Sequence, residues 1–327
     1  MALSLVTGGC GFVGRHLVEA LLSRGDAVRV LDTAPADGCG GAVDFRRGSI
    51  LDRQAVESAV EGVDCVYHLA GIAHLWVADK DGFDRINRRG TETVVGAAAQ
   101  AGVRRVVHCS TESILLPRRR NKGTLIDEAA PPSLADMAGP YTRSKHLGER
   151  AAFAAGRDGL DVVVVNPTVP IGDGDRNMTP PAAMLALFLS GGTSLFLDCI
   201  LNLVGVRDVA DGIALAGAHG RPGERYILGG ENVALGELLP VLERLSGRRM
   251  PRRTVPAPLA LAAGSVSGFI ADRITGRPPI VTREGVILAL RSAPFDSRKA
   301  ARELGYAPAP IERALTDAVE EFKRRQA

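Results

Sequence analysis

The stretch Leu3-Ser4-Leu5-Val6-Thr7-Gly8-Gly9-Cys10-Gly11-Phe12-Val13-Gly14-Arg15-His16 decides how this chain is read. A short apolar run ends in glycines at positions 8, 11 and 14, and an apolar helical pattern (Leu17, Val18, Leu21, Leu22) follows at once. The order is strand, tight turn, helix. Glycines let the backbone turn sharply and come close to a pyrophosphate, and the free N–H groups of a helix N-terminus favour the anion. A glycine triplet by itself is an ordinary turn; the strand before it and the helix after it make it a dinucleotide-binding loop. Asp32 closes the next apolar run, Ala27–Leu31, and stands 24 positions after Gly8. That is close to the spacing of a carboxylate that holds the adenosine ribose hydroxyls.

Working outward, 327 residues suffice for one large domain or a core domain with an appendage. A hydrophobic content of 46% with 24% charged residues is that of a soluble globular protein. The 40 basic residues barely exceed the 37 acidic ones, so no nucleic-acid footprint is expected. The run Arg118-Arg119-Arg120-Asn121-Lys122 reads as a solvated loop. Cys10, Cys39, Cys65, Cys109 and Cys199 show no CxxC spacing, which suggests neither disulfides nor a metal site. The chain opens on a strand without a charged leader, and no apolar run reaches the ~20 residues that span a bilayer. A cytoplasmic protein is expected.

Valine-rich runs at Leu3–Val6, Ala27–Leu31, Val63–His68, Val103–His108 and Val162–Val165 lack alternation, as parallel strands buried on both faces do. Val43–Arg47 could supply a further strand. Helical patterns lie between them at about Val13–Ser23, Arg53–Val60, Phe83–Ala101 and Tyr141–Ala155. Repeated β-then-α units predict an α/β fold with a doubly wound parallel sheet and its ligand at the carboxyl ends of the strands. The dinucleotide-binding part is placed at residues 1–168. A smaller substrate-binding region at 169–327 interleaves with it and contains a strand at Arg225–Gly230 and amphipathic helices at Leu235–Ser246 and Ile311–Arg324. Pro258–Thr275 is an apolar helical stretch that reads as a lid or core helix, with a membrane-surface or oligomer-facing role as the alternative.

Tyr141-Thr142-Arg143-Ser144-Lys145 places a phenol and an amine four positions apart, on one face of a helix. A phenol with a pKa near ~10 serves acid-base chemistry at neutral pH only if a nearby cation stabilises its anion. Lys145 would supply that cation and could also reach the ribose of a nicotinamide nucleotide. Val106-Val107-His108-Cys109-Ser110-Thr111 brings hydroxyls to the carboxyl end of a strand, where one of them could hold a substrate oxygen or simply cap a turn.

These pieces together resemble the extended short-chain dehydrogenase/reductase family, including its NAD-dependent epimerase/dehydratase branch, from Thr7 to about Phe322. Asn87-Arg88-Arg89-Gly90-Thr91, Asn166-Pro167-Thr168, Asp208-Val209-Ala210 and Phe295–Tyr306 carry further parts of the likeness. The resemblance implies that Tyr141 exchanges the proton, that Lys145 is its partner and that Thr111 clamps the substrate oxygen. It assigns the cofactor to Gly8, Gly11, Phe12, Val13 and Gly14, to Asp32, Ser49 and Ile50, to Leu69, Ala70 and Gly71, and to Asn87, Tyr141, Lys145, Pro167 and Thr168.

Two departures stand out. Gly48-Ser49-Ile50 replaces the family's Gly-Asp, leaving the adenine to Ser49 and backbone groups. Gly205 stands where relatives often carry histidine or an aromatic residue, which is expected to enlarge the substrate pocket. The likeness is nearest to hopanoid-associated sugar epimerases, dihydroflavonol reductase-like proteins and sterol 3β-dehydrogenases. Val162–Val165 lacks the arginine common in nucleotide-sugar members. An NAD-dependent oxidoreductase for secondary alcohols and ketones is therefore expected, with a transiently oxidising sugar epimerase/dehydratase and a non-catalytic dinucleotide-binding regulator as alternatives. NADP is disfavoured by Asp32. The substrate should be largely apolar or carry a small polar head, bound by His74–Trp76, Glu112–Leu116, Met178–Leu187 and Phe196–Gly205. No metal is expected, and a homodimer is kept as the assembly.

Overall fold

The computed structural model describes residues 2–36, 43–119, 123–129 and 133–326, so Cys39 and the Arg120-Asn121-Lys122 part of the basic run lie outside the described residues. The first half winds as β1 (Leu3–Thr7), α1 (Phe12–Ser23), β2 (Ala27–Asp32), β3 (Val43–Arg47), α2 (Arg53–Val60), β4 (Cys65–His68), α3 (Asp81–Phe83), α4 (Gly90–Gln100), β5 (Arg105–Cys109), α5 (Pro140–Arg157) and β6 (Asp161–Pro167). The second half adds β7 (Val169–Ile171), α6 (Pro180–Leu189), β8 (Leu195–Phe196), β9 (Ile200–Gly205), α7 (Val206–His219), β10 (Arg225–Leu228), β11 (Glu231–Ala234), α8 (Leu235–Ser246) and β12 (Arg253–Thr254). It closes with α9 (Ala257–Ile270), α10 (Arg283–Arg291), α11 (Arg298–Leu304) and α12 (Ile311–Gln326).

Seven strands form one sheet in the order β10-β6-β5-β4-β1-β2-β3, and every pairing in it is parallel. Strand order reverses between β1 and β4, which opens the crevice at the carboxyl ends where ligands bind in such sheets. The valines that gave no alternation are buried on both faces: Val106, Val107, Val163, Val164 and Val165 are all inaccessible to solvent. One face packs on α1, α7 and α11 through Leu17, Leu21, Val209, Ile213 and Leu304; the other packs on α2, α4 and α5 through Val56, Val94, Ala98 and Ala152. From the second half of the chain, β10 pairs with β6 at the edge of this sheet and α7 packs on its face.

A small sheet, β11-β9-β7, branches from the end of β6 and packs on α6, α8 and α12 through Ile171, Leu185, Leu203, Leu238 and Leu315. Sequence periodicity missed β7, β9 and α7. The helix expected over Phe83–Ala101 is not regular. Its Asp84–Arg89 turn is π-helical, and the Thr91 hydroxyl takes the Asn87 carbonyl at 2.7 Å, where a regular helix would use an amide.

Gly148 of α5 faces that widened turn, and a Cβ there would lie 2.3 Å from the Asn87 carbonyl oxygen. Gly148→Ala should therefore push α5 off the π-turn and cost about 2–3 kcal/mol of overpacking, read as a lower midpoint in chemical denaturation.

Candidate active site

The glycine loop is built for close approach. Gly8 has φ +74°, and a Cβ on it would lie 2.7 Å from the Ala70 nitrogen. Its N–H donates to Leu31 O (3.0 Å), and the Gly11 N–H donates back to Gly8 O (3.1 Å). A Cβ on Gly14 would sit 2.1 Å from Gly8 O, so α1 can rest on the turn only with glycine at that position. Gly11 caps α1 without a side-chain bond, and the first turn has no acidic residue, so a diphosphate would meet no competing carboxylate there.

Asp32 lies across this loop: Oδ2 accepts the Cys10 N–H and Oδ1 the Ala34 N–H, both at 2.9 Å. Its carboxylate is thus fixed at the end of β2 before any ribose arrives. Leu69 N–H donates to Thr7 O and Ala70 N–H to Thr7 Oγ1, which lays residues 69–71 beside Gly8. Thr7 Oγ1 meets His68 Nδ1 (2.8 Å), and His68 Nε2 meets Thr91 Oγ1 (3.0 Å), tying the first strand to α4 through a buried ring. Ser49 Oγ accepts the Leu51 N–H (3.2 Å), and Ile50 is buried against Gly90. These groups fit a dinucleotide: Gly11–Gly14 would hold the diphosphate, and Asp32 the ribose.

The reacting groups converge from β5 and α5. Lys145 Nζ donates to Cys109 O (2.7 Å), the last carbonyl of β5. Tyr141 is buried, its ring edge-on to Phe83 at 6.4 Å, and its hydroxyl is turned towards Thr111. Thr111, two residues past β5, is pinned by its carbonyl, which accepts from Asn166 Nδ2 (3.0 Å). Asn166 also donates to Glu149 of α5, and Glu149 is ion-paired with Arg225. Asn87 is a brace: Oδ1 accepts the Ile72 N–H (2.7 Å), and Nδ2 donates to Ile72 O (3.1 Å) and Ser144 Oγ (2.9 Å). Thr168 turns its hydroxyl inward to Asn202 Oδ1 (2.8 Å), so its side chain is occupied by the small sheet.

Two carboxylates that sequence reasoning gave no catalytic part flank the phenol. Glu112 receives the Thr111 hydroxyl on Oε2 (2.8 Å) and the Ser113 hydroxyl on Oε1 (3.1 Å), and burial pushes its carboxyl up to about 7 against those bonds. Glu284 comes from α10 and caps α5, accepting the N–H groups of Tyr141 (3.2 Å) and Thr142 (2.9 Å) and the Thr142 hydroxyl (2.8 Å). A Cβ on Gly139 would collide with it. Burial, opposed by the nearby Thr111 hydroxyl and reinforced by Glu112 and Glu284, holds Tyr141 above the ordinary phenol value. Burial thus outweighs the lowering expected from Lys145, whose own ammonium is pushed down by burial. At neutral pH the phenol is a proton donor. Glu112 was legible as a neighbour of Thr111; Glu284 lies 143 positions from Tyr141 and left no local signal.

Other expectations change. Ile114, Leu115 and Leu116 do not line the cleft but form a core cluster with Ile126, Ile227 and Phe295. Gly205 does not enlarge a pocket: it is buried, and its missing side chain leaves room for the Asp208 carboxylate, 2.5 Å from where a Cβ would be. Leu203 and Val204 are core residues. The apolar Met178–Phe196 region does border a cavity of about 150 Å³ with Phe12, Ile171, Met178, Leu185 and Phe322, but it opens beside the glycine loop and touches none of Thr111, Tyr141 and Lys145. His74 bridges to Asn177 O (2.9 Å), joining the loop after β4 to the small lobe.

Residues 4–229 match the sequence model of the NAD dependent epimerase/dehydratase family. A putative dihydroflavonol 4-reductase of Synechocystis sp. is 34% identical, over 97% of this chain and 94% of its own. Sterol demethylase protein B of Methylococcus capsulatus is 32% identical over 98% of each chain. The crystal structure of gox2253 superposes with a TM-score of 0.87 at 34% identity, covering 99% of both chains. DesIV, a dTDP-glucose 4,6-dehydratase of Streptomyces venezuelae solved with NAD bound, gives 0.78 at 28% identity, covering 100% of this chain and 98% of its own.

Glu112 yields a pH prediction. Its folded carboxyl binds a proton more tightly than the unfolded one, whose value is 4.5, so wild-type stability falls as pH rises from there through about 7. Glu112→Gln should be more stable than wild type at pH 8, by about 1–3 kcal/mol, with the advantage shrinking towards pH 4.5. Denaturant midpoints at both pH values measure it.

Proposed function

The chain belongs to the NAD-dependent epimerase/dehydratase family and is an enzyme of the extended short-chain dehydrogenase/reductase type, and from that premise we propose that it reduces a ketone to a secondary alcohol with NADH. The observation that carries the reading is the Tyr141 phenol, buried, kept neutral by that burial and turned towards Thr111 beside the β5 carboxyl end. A bound reduced nicotinamide supplies a hydride to the carbonyl carbon. Tyr141 then gives its proton to the carbonyl oxygen, with Thr111 holding that oxygen in line. Lys145, which donates to the Cys109 carbonyl, steadies the phenolate that remains and would reach a ribose hydroxyl of the bound cofactor. Asn87, Glu149 and Glu284 touch no substrate in this scheme; they position α5.

The names of the curated relatives, a reductase and a sterol-processing protein, support a largely apolar substrate with a small polar head. Asp32 supports NADH over NADPH, because its fixed carboxylate would repel a 2′-phosphate. A second reading, transient oxidation of a nucleotide sugar, draws on Glu112, a carboxyl near neutrality within one residue of Thr111, and on the likeness to DesIV. Turnover with apolar ketones and with nucleotide sugars separates the two. Stabilisation against heating, in the presence of NADH, by a uridine or thymidine diphosphate sugar and by no apolar ketone would favour the second.

Tyr141→Phe removes only the transferable proton, so turnover should fall roughly 10²–10⁴-fold with NADH affinity nearly intact. Lys145→Met should weaken both. Retention of most of kcat in Tyr141→Phe would overturn the proton role.

In calorimetric titration the wild-type protein should bind NADH more tightly than NADPH, and Asp32→Ser should narrow the gap. Tighter NADPH binding by wild type would refute the assignment of Asp32.

A further inference from the structure

Among the described residues, the exposed large apolar side chains are concentrated in one place. Leu259, Val266, Phe269, Ile270, Ile274 and Ile280 all belong to α9 and the turn and loop that follow it, with Phe269 63%, Ile274 72% and Ile280 81% exposed. The helix is inside-out. Its buried side is small: Ala260, Gly264 and Ala271 lie against the protein, and a Cβ on Gly264 would be 3.0 Å from the Arg283 backbone of α10. Its outward side recurs at three and four residues with the large side chains. From Thr254 to Ala271 no residue is ionisable.

Charge brackets this face with one sign. Between Arg253 and Arg283 the chain carries four arginines, at 253, 273, 277 and 283, all exposed, and a single acid, Asp272. That acid is already taken by Lys80 (2.8 Å) and by the Trp76 indole N–H (2.7 Å). The same contacts clasp the end of the helix to the loop after β4, at the rim of the cleft. No helix of the described residues is long and apolar enough to cross a membrane.

We propose that this face docks on the surface of an anionic phospholipid bilayer. The large apolar side chains enter the boundary between headgroups and acyl chains, and the arginines pair with lipid phosphates at the headgroup level. Guanidinium groups suit that place, since they bind phosphate in a forked geometry while their stems lie along apolar surface. A second copy of the chain fits the face less well, because a two-fold interface would set arginines against arginines. Docking does not depend on which substrate the cleft takes, although a bilayer-dissolved substrate would enter at the clasped rim.

The test is co-sedimentation of the full chain, loaded with NADH, with vesicles of equal phosphatidylglycerol and phosphatidylcholine and with phosphatidylcholine alone. Binding to the anionic vesicles is expected, weakened roughly tenfold on the neutral ones and by added salt. Phe269→Glu with Ile274→Glu should lower the affinity at least ~10-fold while the thermal midpoint and NADH affinity stay unchanged. Arg273→Gln with Arg277→Gln should remove most of the preference for anionic lipid. Failure of the wild-type protein to bind, equal binding by the double-glutamate variant, or a dimer in light scattering that the same variant dissociates would each overturn the proposal.

Discussion

Helix α5 carries the phenol and the amine, and its placement is fixed by polar contacts at three points along its length. Glu284 takes the amides of its first turn, Asn87 takes Ser144 one turn further on, and Glu149 meets Arg225 and Asn166 beyond that. Gly148 lies between the last two and allows the backbones to touch. Each partner comes from a different part of the chain: α10, the π-turn before α4, and the ends of β6 and β10. A shift in any of them moves Tyr141 relative to Thr111, whose own position is held by the same Asn166. The large sheet and the small lobe are therefore coupled through one helix.

The electrostatics follow from that burial. A phenol and an ammonium placed together in water would stabilise the phenolate. Here the lysine spends its ammonium on a strand-end carbonyl, and two carboxylates face the ring region instead. The balance favours the neutral phenol. Glu284 contributes twice, as an anion at a helix N-terminus and as a charge opposing phenolate. Glu112 accepts the Thr111 hydroxyl, so the protonation of this buried carboxyl is coupled to the residue beside the phenol.

At the cofactor end the restraint is steric. Three backbone segments, the Gly8 turn, the start of α1 and residues 69–71, pack so closely that a side chain on Gly8 or Gly14 would overlap main-chain atoms. The turn cannot drift, and Asp32 is bonded to its middle through Cys10. The site for the diphosphate and ribose is thus preorganised by contacts that exist without either.

Local sequence was enough for the α/β class, the alternation of strands and helices in the first half, the glycine turn followed by Asp32, and the placing of Tyr141 and Lys145 four positions apart. All of these are local: a valine run, three glycines, a spacing of four. The π-turn at Asp84–Arg89, which packs its Asn87 carbonyl against Gly148 of α5, was not legible. Nor was the small sheet, whose strands of three, six and four residues offer too few positions for a period. Glu284 looked like any helical glutamate until α10 brought it to the start of α5. Ile114–Leu116 read as cleft wall by their distance from Thr111, yet Phe295 and Ile227 enclose them. These points depend on what lies across the fold, and a linear spacing carries no record of a neighbour that only the folded chain brings near.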